Sequence, residues 1–180
     1  MAYFRTSREK RLWTLTAALL LLIYATHSAA PEFSSFLREK GLLTPIFITV
    51  FFLIAAVCIT LGLFQRPDVR EVAIWAGITG VLLMLFFRIE MVEERSHLME
   101  YGVISILIYE ALKERGSFRY PALVAILLTG LFGFIDEAIQ YFIPTRVFAW
   151  EDVVFNISAA MIAMTTIGVL RWTRERFRQS

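Results

Sequence analysis

Long apolar runs alternate with short charged clusters along this chain. Six runs stand out: Leu12–Ala30, Leu43–Phe64, Val72–Ile89, His97–Leu112, Ala122–Ile143 and Val153–Leu170. A helix needs about 20 mostly apolar residues to cross roughly 30 Å of hydrocarbon, and the runs approach that length. They are too long for barrel strands and lack the two-residue alternation of a barrel wall. The pattern predicts an all-α fold, a polytopic transmembrane helix bundle of about six spans. The fourth run is the shortest and carries Glu100, Glu110, Tyr101 and Tyr109; its alternative reading is a helix that dips into the membrane or lies at its surface. The first run has the basic start, apolar middle and small residues (Ser28, Ala29, Ala30) of a signal peptide. Pro31 would follow the cut, an unfavourable place for proline, so the run is read as a retained first span. The chain divides by this pattern into helices 1–3 (residues 1–92), helices 4–6 (93–170) and a basic tail (171–180).

Composition supports a membrane solvent. Of 180 residues 58% are hydrophobic, 19% are charged, and the mean hydropathy is +0.64, against about a quarter charged in a soluble domain. The net charge of +2 matters less than its placement. With a cytoplasmic N-terminus and six spans, 13 of the 18 Lys and Arg fall in cytoplasmic segments and five outside, the bias that sets orientation in membranes. Both termini are therefore expected in the cytoplasm. Trp13, Tyr120 and Trp172 then mark the inner interface, and Tyr141 and Trp150 the outer. Basic stripes with interleaved aromatics, the footprint of nucleic-acid binding, do not occur. The one cysteine, Cys58, offers neither an internal disulfide nor a metal set, and phosphate loops, nucleophile elbows and zinc-ligand pairs are missing. No metal or cofactor is expected.

The residues that carry information lie between His97 and Asn156. Ionisable groups in a membrane are expensive and usually face a bundle interior. His97 and Tyr101 are four apart on the fourth helix and share a face. Glu137 and Gln140 are three apart near the end of the fifth, and Asp136 stands four before Gln140. Pro144 and Arg146 occupy the next turn, and Asp152 and Asn156 are four apart at the start of the sixth helix. The topology from loop charges puts all of these at the extracytoplasmic level. Arg146 has a planar five-donor fork that can hold Glu137 ionised or grip an anion, Asp152 can meet the positive end of a helix, and His97 can change protonation near neutral pH. His97 and Glu137 are the candidate catalytic groups; Tyr101, Gln140, Arg146, Asp152 and Asn156 are the candidate ligand-binding groups. Each also has a plainer reading: Asp152 as an N-cap, Glu137 with Arg146 as an ion pair fixing the hairpin, Gln140 and Asn156 as interhelical hydrogen bonds. Gly77 with Gly80 and Gly130 with Gly133 read as close helix contacts.

The series His97 to Tyr101, Glu137-x-x-Gln140, Pro144-x-Arg146 and Asp152-x-x-x-Asn156 resembles the VanZ-like family of bacterial membrane proteins, over roughly Glu93 to Met164. The first three helices show no part of that motif. The family usually has an Asp-Lys pair before the histidine, where this chain has Glu93 and Glu94, and glycine after the asparagine, where it has Ser158, Ala159 and Ala160. The best-known member is associated with resistance to the glycopeptide teicoplanin, a property not carried to this chain. The resemblance implies a cell-envelope role in the bacterial cytoplasmic (inner) membrane. The expected partners are membrane lipids, with a lipid-linked envelope precursor as the candidate ligand, bound or processed at the outer leaflet. The alternative is a non-catalytic accessory subunit of a larger membrane complex, or a homo-oligomer, with the cluster as internal glue.

Overall fold

In the computed structural model the described residues are 4–26, 30–63, 69, 72–73, 76–77, 79–80, 84, 92–144 and 147–177. Most of the third apolar run, His27, Glu90 and Arg146 lie outside them, as do the side chains of Glu93, Glu94 and His97. The described residues form six helices and no strand: α1 (Ser7–Thr26), α2 (Ala30–Glu39), α3 (Leu43–Leu63), α4 (Val92–Arg115), α5 (Pro121–Tyr141) and α6 (Trp150–Phe177). Five of these contain five of the six apolar runs or most of them; α2 contains none. It is a short helix of ten residues between the first two apolar runs. It closes on a Schellman turn, where Gly41 takes φ 67°, its N–H donates to Arg38 O at 3.0 Å and Leu42 N–H donates to Leu37 O at 2.8 Å. A left-handed residue without a Cβ is what lets the last carbonyls of the helix find donors.

Two compact units divide the chain. One holds residues 1–28 with 93–165, and the other holds 29–92 with 166–180. The first unit contains α1, nearly all of α4, α5 and the leading part of α6. Within it α1 and α4 are antiparallel, as their ends show. At one end Arg8 pairs with Glu110 (3.1 Å) and Glu114 (3.3 Å), Thr6 Oγ1 donates to Glu114 Oε1 (3.0 Å), and Arg115 pairs with Glu9 (3.3 Å). Thr6 and Glu9 also cap α1: Glu9 N donates to Thr6 Oγ1 at 3.0 Å, and Glu9 Oε2 accepts Arg5 N at 2.6 Å. This is close to the capping box, with the carboxylate reaching one residue further back. It explains how Glu9 can be wholly buried: its oxygens are met by a backbone donor and a guanidinium. Gly116 (φ 70°) ends α4, donating to Leu112 O at 3.2 Å. A Cβ there would also stand 3.1 Å from Arg5 Nη1, whose guanidinium donates to Arg115 O at 2.9 Å.

Helix α5 follows after a five-residue connection, with Pro121 at its first position, where a missing N–H costs no bond. Its two faces are the reverse of a soluble helix. Thr129, Asp136, Glu137 and Gln140 are buried, while Leu123, Leu127, Leu131 and Phe134 are exposed. In water such an arrangement would desolvate the polar groups and leave the apolar ones wet; against hydrocarbon it is the favoured one. Both α5 and α6 are long and apolar enough to cross a membrane, and among the described residues they are the two helices that meet this measure. At about 1.5 Å per residue, α5 is roughly 30 Å long, the thickness of a bilayer's hydrocarbon.

Candidate functional site

At the end of the first unit opposite the Arg8–Glu114 network, α1, α4, α5 and α6 contribute a layer of polar side chains. Along α4, Tyr101 is separated from Glu114 by thirteen positions, so the two polar levels stand about 20 Å apart. Apolar side chains fill the space between them, among them Ile104, Ile108 and Ala125, all completely buried.

The layer has two halves. Asp136 and Glu137 are consecutive and so project about 100° apart on α5. Asp136 turns toward α4 and α1, where its carboxyl interacts with the hydroxyl of Tyr101, and Tyr101 with that of Tyr24. The Tyr24 hydroxyl also donates to Phe132 O at 2.9 Å, which ties the end of α1 to α5. Tyr101 and Asp136 are wholly buried.

Glu137, also wholly buried, turns toward the start of α6. Its Oε1 accepts Gln140 Nε2 at 3.1 Å and its Oε2 accepts the backbone N–H of Ala149 at 3.2 Å. Ala149 immediately precedes the first residue of α6, Trp150. The carboxylate therefore serves as a cap supplied from another helix, at the positive end of the α6 dipole. Asp152, which sequence alone suggested as the N-cap, is the third residue of α6 and half-buried. There it still meets the dipole, but it does not occupy the capping position. The turn between the helices is pinned on its other side by aromatics: Phe148 packs edge-on against Trp150 (5.0 Å) and Phe134 (6.0 Å).

Asn156 lies one turn further along α6 than Asp152. It is fully buried, and a Cβ placed on Gly133 would stand 2.7 Å from Asn156 Cβ and 2.7 Å from Nδ2. The glycine is what lets the two backbones come this close. Among the described residues neither polar atom of the Asn156 amide has a hydrogen-bond partner.

Of the residues singled out from sequence, Tyr101, Glu137, Gln140 and Asn156 are brought to this end of the unit, and Asp152 stands beside them in the first turn of α6. His97 is one turn before Tyr101 in α4; its side chain, like all of Arg146, is outside the described residues. Two members of the layer were missed as candidates: Tyr24 and Asp136. Asp136 was noted only as four before Gln140, whose amide in fact bonds Glu137. Tyr24 could have been found from the length of the first run, which puts it near the same membrane level as the late residues of the fifth. The Thr6-x-x-Glu9 box and the Glu110, Glu114 pair at helical spacing were likewise present as signals for the opposite end.

These observations define a class: an all-helical protein with at least two helices of membrane-spanning length and a buried polar layer at one end of four packed helices. Comparison with protein families places the chain within that class. The VanZ/LLP1 family model matches residues 4–171, nearly the whole length, and the chain belongs to this family. The match extends well beyond the Glu93–Met164 region in which the resemblance was read, and takes in the first three helical segments. Comparison with curated proteins and with solved structures gives no match.

Proposed function

We propose that this chain is a cell-envelope protein of the bacterial cytoplasmic membrane, spanning it about six times with both termini inside, and that its polar layer binds the head group of a lipid-linked envelope component at the outer leaflet. The observation that carries this reading is the buried layer of Tyr101, Asp136, Glu137, Gln140 and Asn156, on helices whose outward faces are apolar. Evolution seldom retains so many polar groups at membrane depth without use, because each is expensive there. Arg146, between α5 and α6 in the sequence, supplies the positive charge for an anionic group. Gln140, Asn156 and Tyr101 orient it by hydrogen bonds, Asp152 bounds it at the start of α6, and His97 and Glu137 are the groups for proton transfer if the head group is processed.

The binding reading is tested by lipid retention. Arg146→Lys keeps the charge but loses the bidentate fork. Purified Arg146→Lys and His97→Ala proteins, compared with wild type at equal folded yield, are expected to lose the co-purifying head-group lipid that wild type holds, by about tenfold for the loss of one charge-assisted contact of ~1.4 kcal/mol. Unchanged lipid in both variants would favour the accessory-subunit reading instead.

The topology has its own test. Single cysteines placed at Ser7, Thr145 and Gln179 in a chain lacking Cys58 should differ in labelling from outside intact cells. Only the Thr145 position is expected to react with an impermeant thiol reagent; reaction at Gln179 would overturn the six-span arrangement.

A further inference from the structure

The geometry points to an internal binding site for a single hydroxyl group between α5 and α6, formed by Thr129 and Asn156 on the inward side of the layer to which Asn156 belongs. Thr129 is wholly buried, and among the described residues its Oγ1 has no hydrogen-bond partner. The other two buried threonines among the described residues, Thr16 and Thr173, are both satisfied. Thr14, Thr16, Thr26, Thr49 and Thr173 each donate to the carbonyl four residues back, at 2.7–2.9 Å, the usual resort of a helical threonine. Thr129 forgoes that bond, and its hydroxyl stays on the buried face of α5 that also carries Gly133. Asn156 packs on Gly133, and both atoms of its amide lack partners among the described residues.

The helix register brings these groups toward one place. Gly133 against Asn156 and Gly130 against Ile157 set an antiparallel pairing that puts Thr129 level with Ala159 and Ala160. Both alanines are buried and carry small side chains. The Asp136 level lies about 10 Å further out, since Thr129 is seven residues inward from Asp136, and His97 stands a turn beyond Tyr101 along α4. Buried polar atoms are almost always satisfied, and an orphan pair facing a small-residue patch marks an unrecorded partner. That partner must both donate and accept, because the amide offers N–H and C=O while the threonine offers a hydroxyl. A hydroxyl does this with one atom. Water and a hydroxyl of a bound lipid head group share this chemistry. The site does not depend on the anion-binding reading of the outer layer and would stand without it.

The sign of a stability change tests it. In purified full-length protein, Thr129→Val is nearly isosteric and removes only the hydroxyl. If Oγ1 is truly without a partner, valine relieves a desolvated group and the Tm rises. If a hydroxyl is bound, valine strands it and the Tm is expected to fall by about 2–4 °C, with Thr129→Ser falling less. Measured in detergent alone and with added bacterial lipid extract, an equal fall in both identifies water, and a fall confined to the lipid-containing sample identifies a head-group hydroxyl. Either result supports the site. A Tm at or above wild type for Thr129→Val in both conditions overturns it. Should the valine variant not fold, an experimental density map of the wild type decides: a peak at about 3 Å from both Thr129 Oγ1 and the Asn156 amide is expected, and continuous apolar packing there rejects the site.

Discussion

Glu137→Ala is expected to destabilise the protein by about 3–5 kcal/mol, with Glu137→Gln costing about half as much. Alanine removes both acceptors at once. The amide of Gln140 loses its bond to Oε1, and the N–H of Ala149 loses its bond to Oε2. Each donor then remains desolvated, at about 1–3 kcal/mol apiece, and the wholly buried side chain leaves a space behind it. Glutamine keeps the volume and one acceptor oxygen, so it can satisfy either donor but presents an NH2 group to the other. The measurement is denaturant or thermal unfolding of the purified variants in one detergent. The order wild type, Gln, Ala in falling stability is expected. An alanine variant as stable as wild type would show that Glu137 does not fasten the turn before α6, and its burial would need a purely functional explanation.

How far the sequence disclosed this arrangement depends on which physical signal each residue carries. Helix existence was plain wherever a run was long and apolar, as in α3, α5 and α6, because hydrocarbon-length stretches admit few alternatives. The amphipathic α2 was missed because its ten residues include polar positions on one side, and its end is fixed by the backbone turn at Gly41 rather than by hydropathy. The Glu137–Gln140 bond follows from helical spacing and was legible. The capping role of Glu137 toward Ala149 was not: it needs the chain reversal that brings position 149 back to 137, and the sequence offered Asp152 as the nearer candidate. Tyr24 and Asp136 are linked only through the assembly of three helices, so run length could put Tyr24 at the right level but no local pattern could pair the two. The family match over residues 4–171 is consistent with this, since α1 contributes to the same unit as α4, α5 and α6.

The two ends of that unit are held by different means. At the Arg8–Glu114 end, the charged partners of Glu9 and Glu114 are partly exposed: Arg8 and Arg115 are 59% and 44% accessible. The Arg8 pairs contribute at most about 1 kcal/mol each and weaken with salt, whereas Glu9 is itself wholly buried and its partners are not so easily replaced by water. At the other end the polar groups are buried without exception among Tyr101, Asp136, Glu137 and Asn156, so water cannot substitute for a lost partner. Substitutions of Arg8 at the first end should therefore be mild, and those of Glu9 and of the second end severe. This difference directs functional mutagenesis to the second end and requires that folded yield be measured alongside any activity there.

Gly133 is the position where this severity is expected to be greatest. Gly133→Leu should abolish folding into the α5–α6 pairing, and Gly133→Ala should cost about 1–3 kcal/mol. A single Cβ would lie 2.7 Å from Asn156 Cβ and Nδ2 and 3.1 Å from its Cγ. Because Cβ is fixed to the backbone of α6, rotation of the amide cannot relieve the contact and the helices must part. Overpacking of this kind costs about 1–3 kcal/mol. Against it stands the gain of replacing glycine within a helix, roughly 0.5–1 kcal/mol, which is smaller than most of that range. Gly102→Ala isolates the gain alone, since a Cβ there meets nothing within 4 Å, and it should leave stability equal or slightly raised. Asn156→Ala should rescue Gly133→Ala only in part, because it removes Cγ and Nδ2 but keeps the clashing Cβ, whereas Asn156→Gly should rescue it further. Thermal unfolding of the single and double variants reads the coupling directly. If Gly133→Ala proved as stable as Gly102→Ala, the close approach of α5 and α6 at this level would be refuted, and with it the packing that buries Asn156.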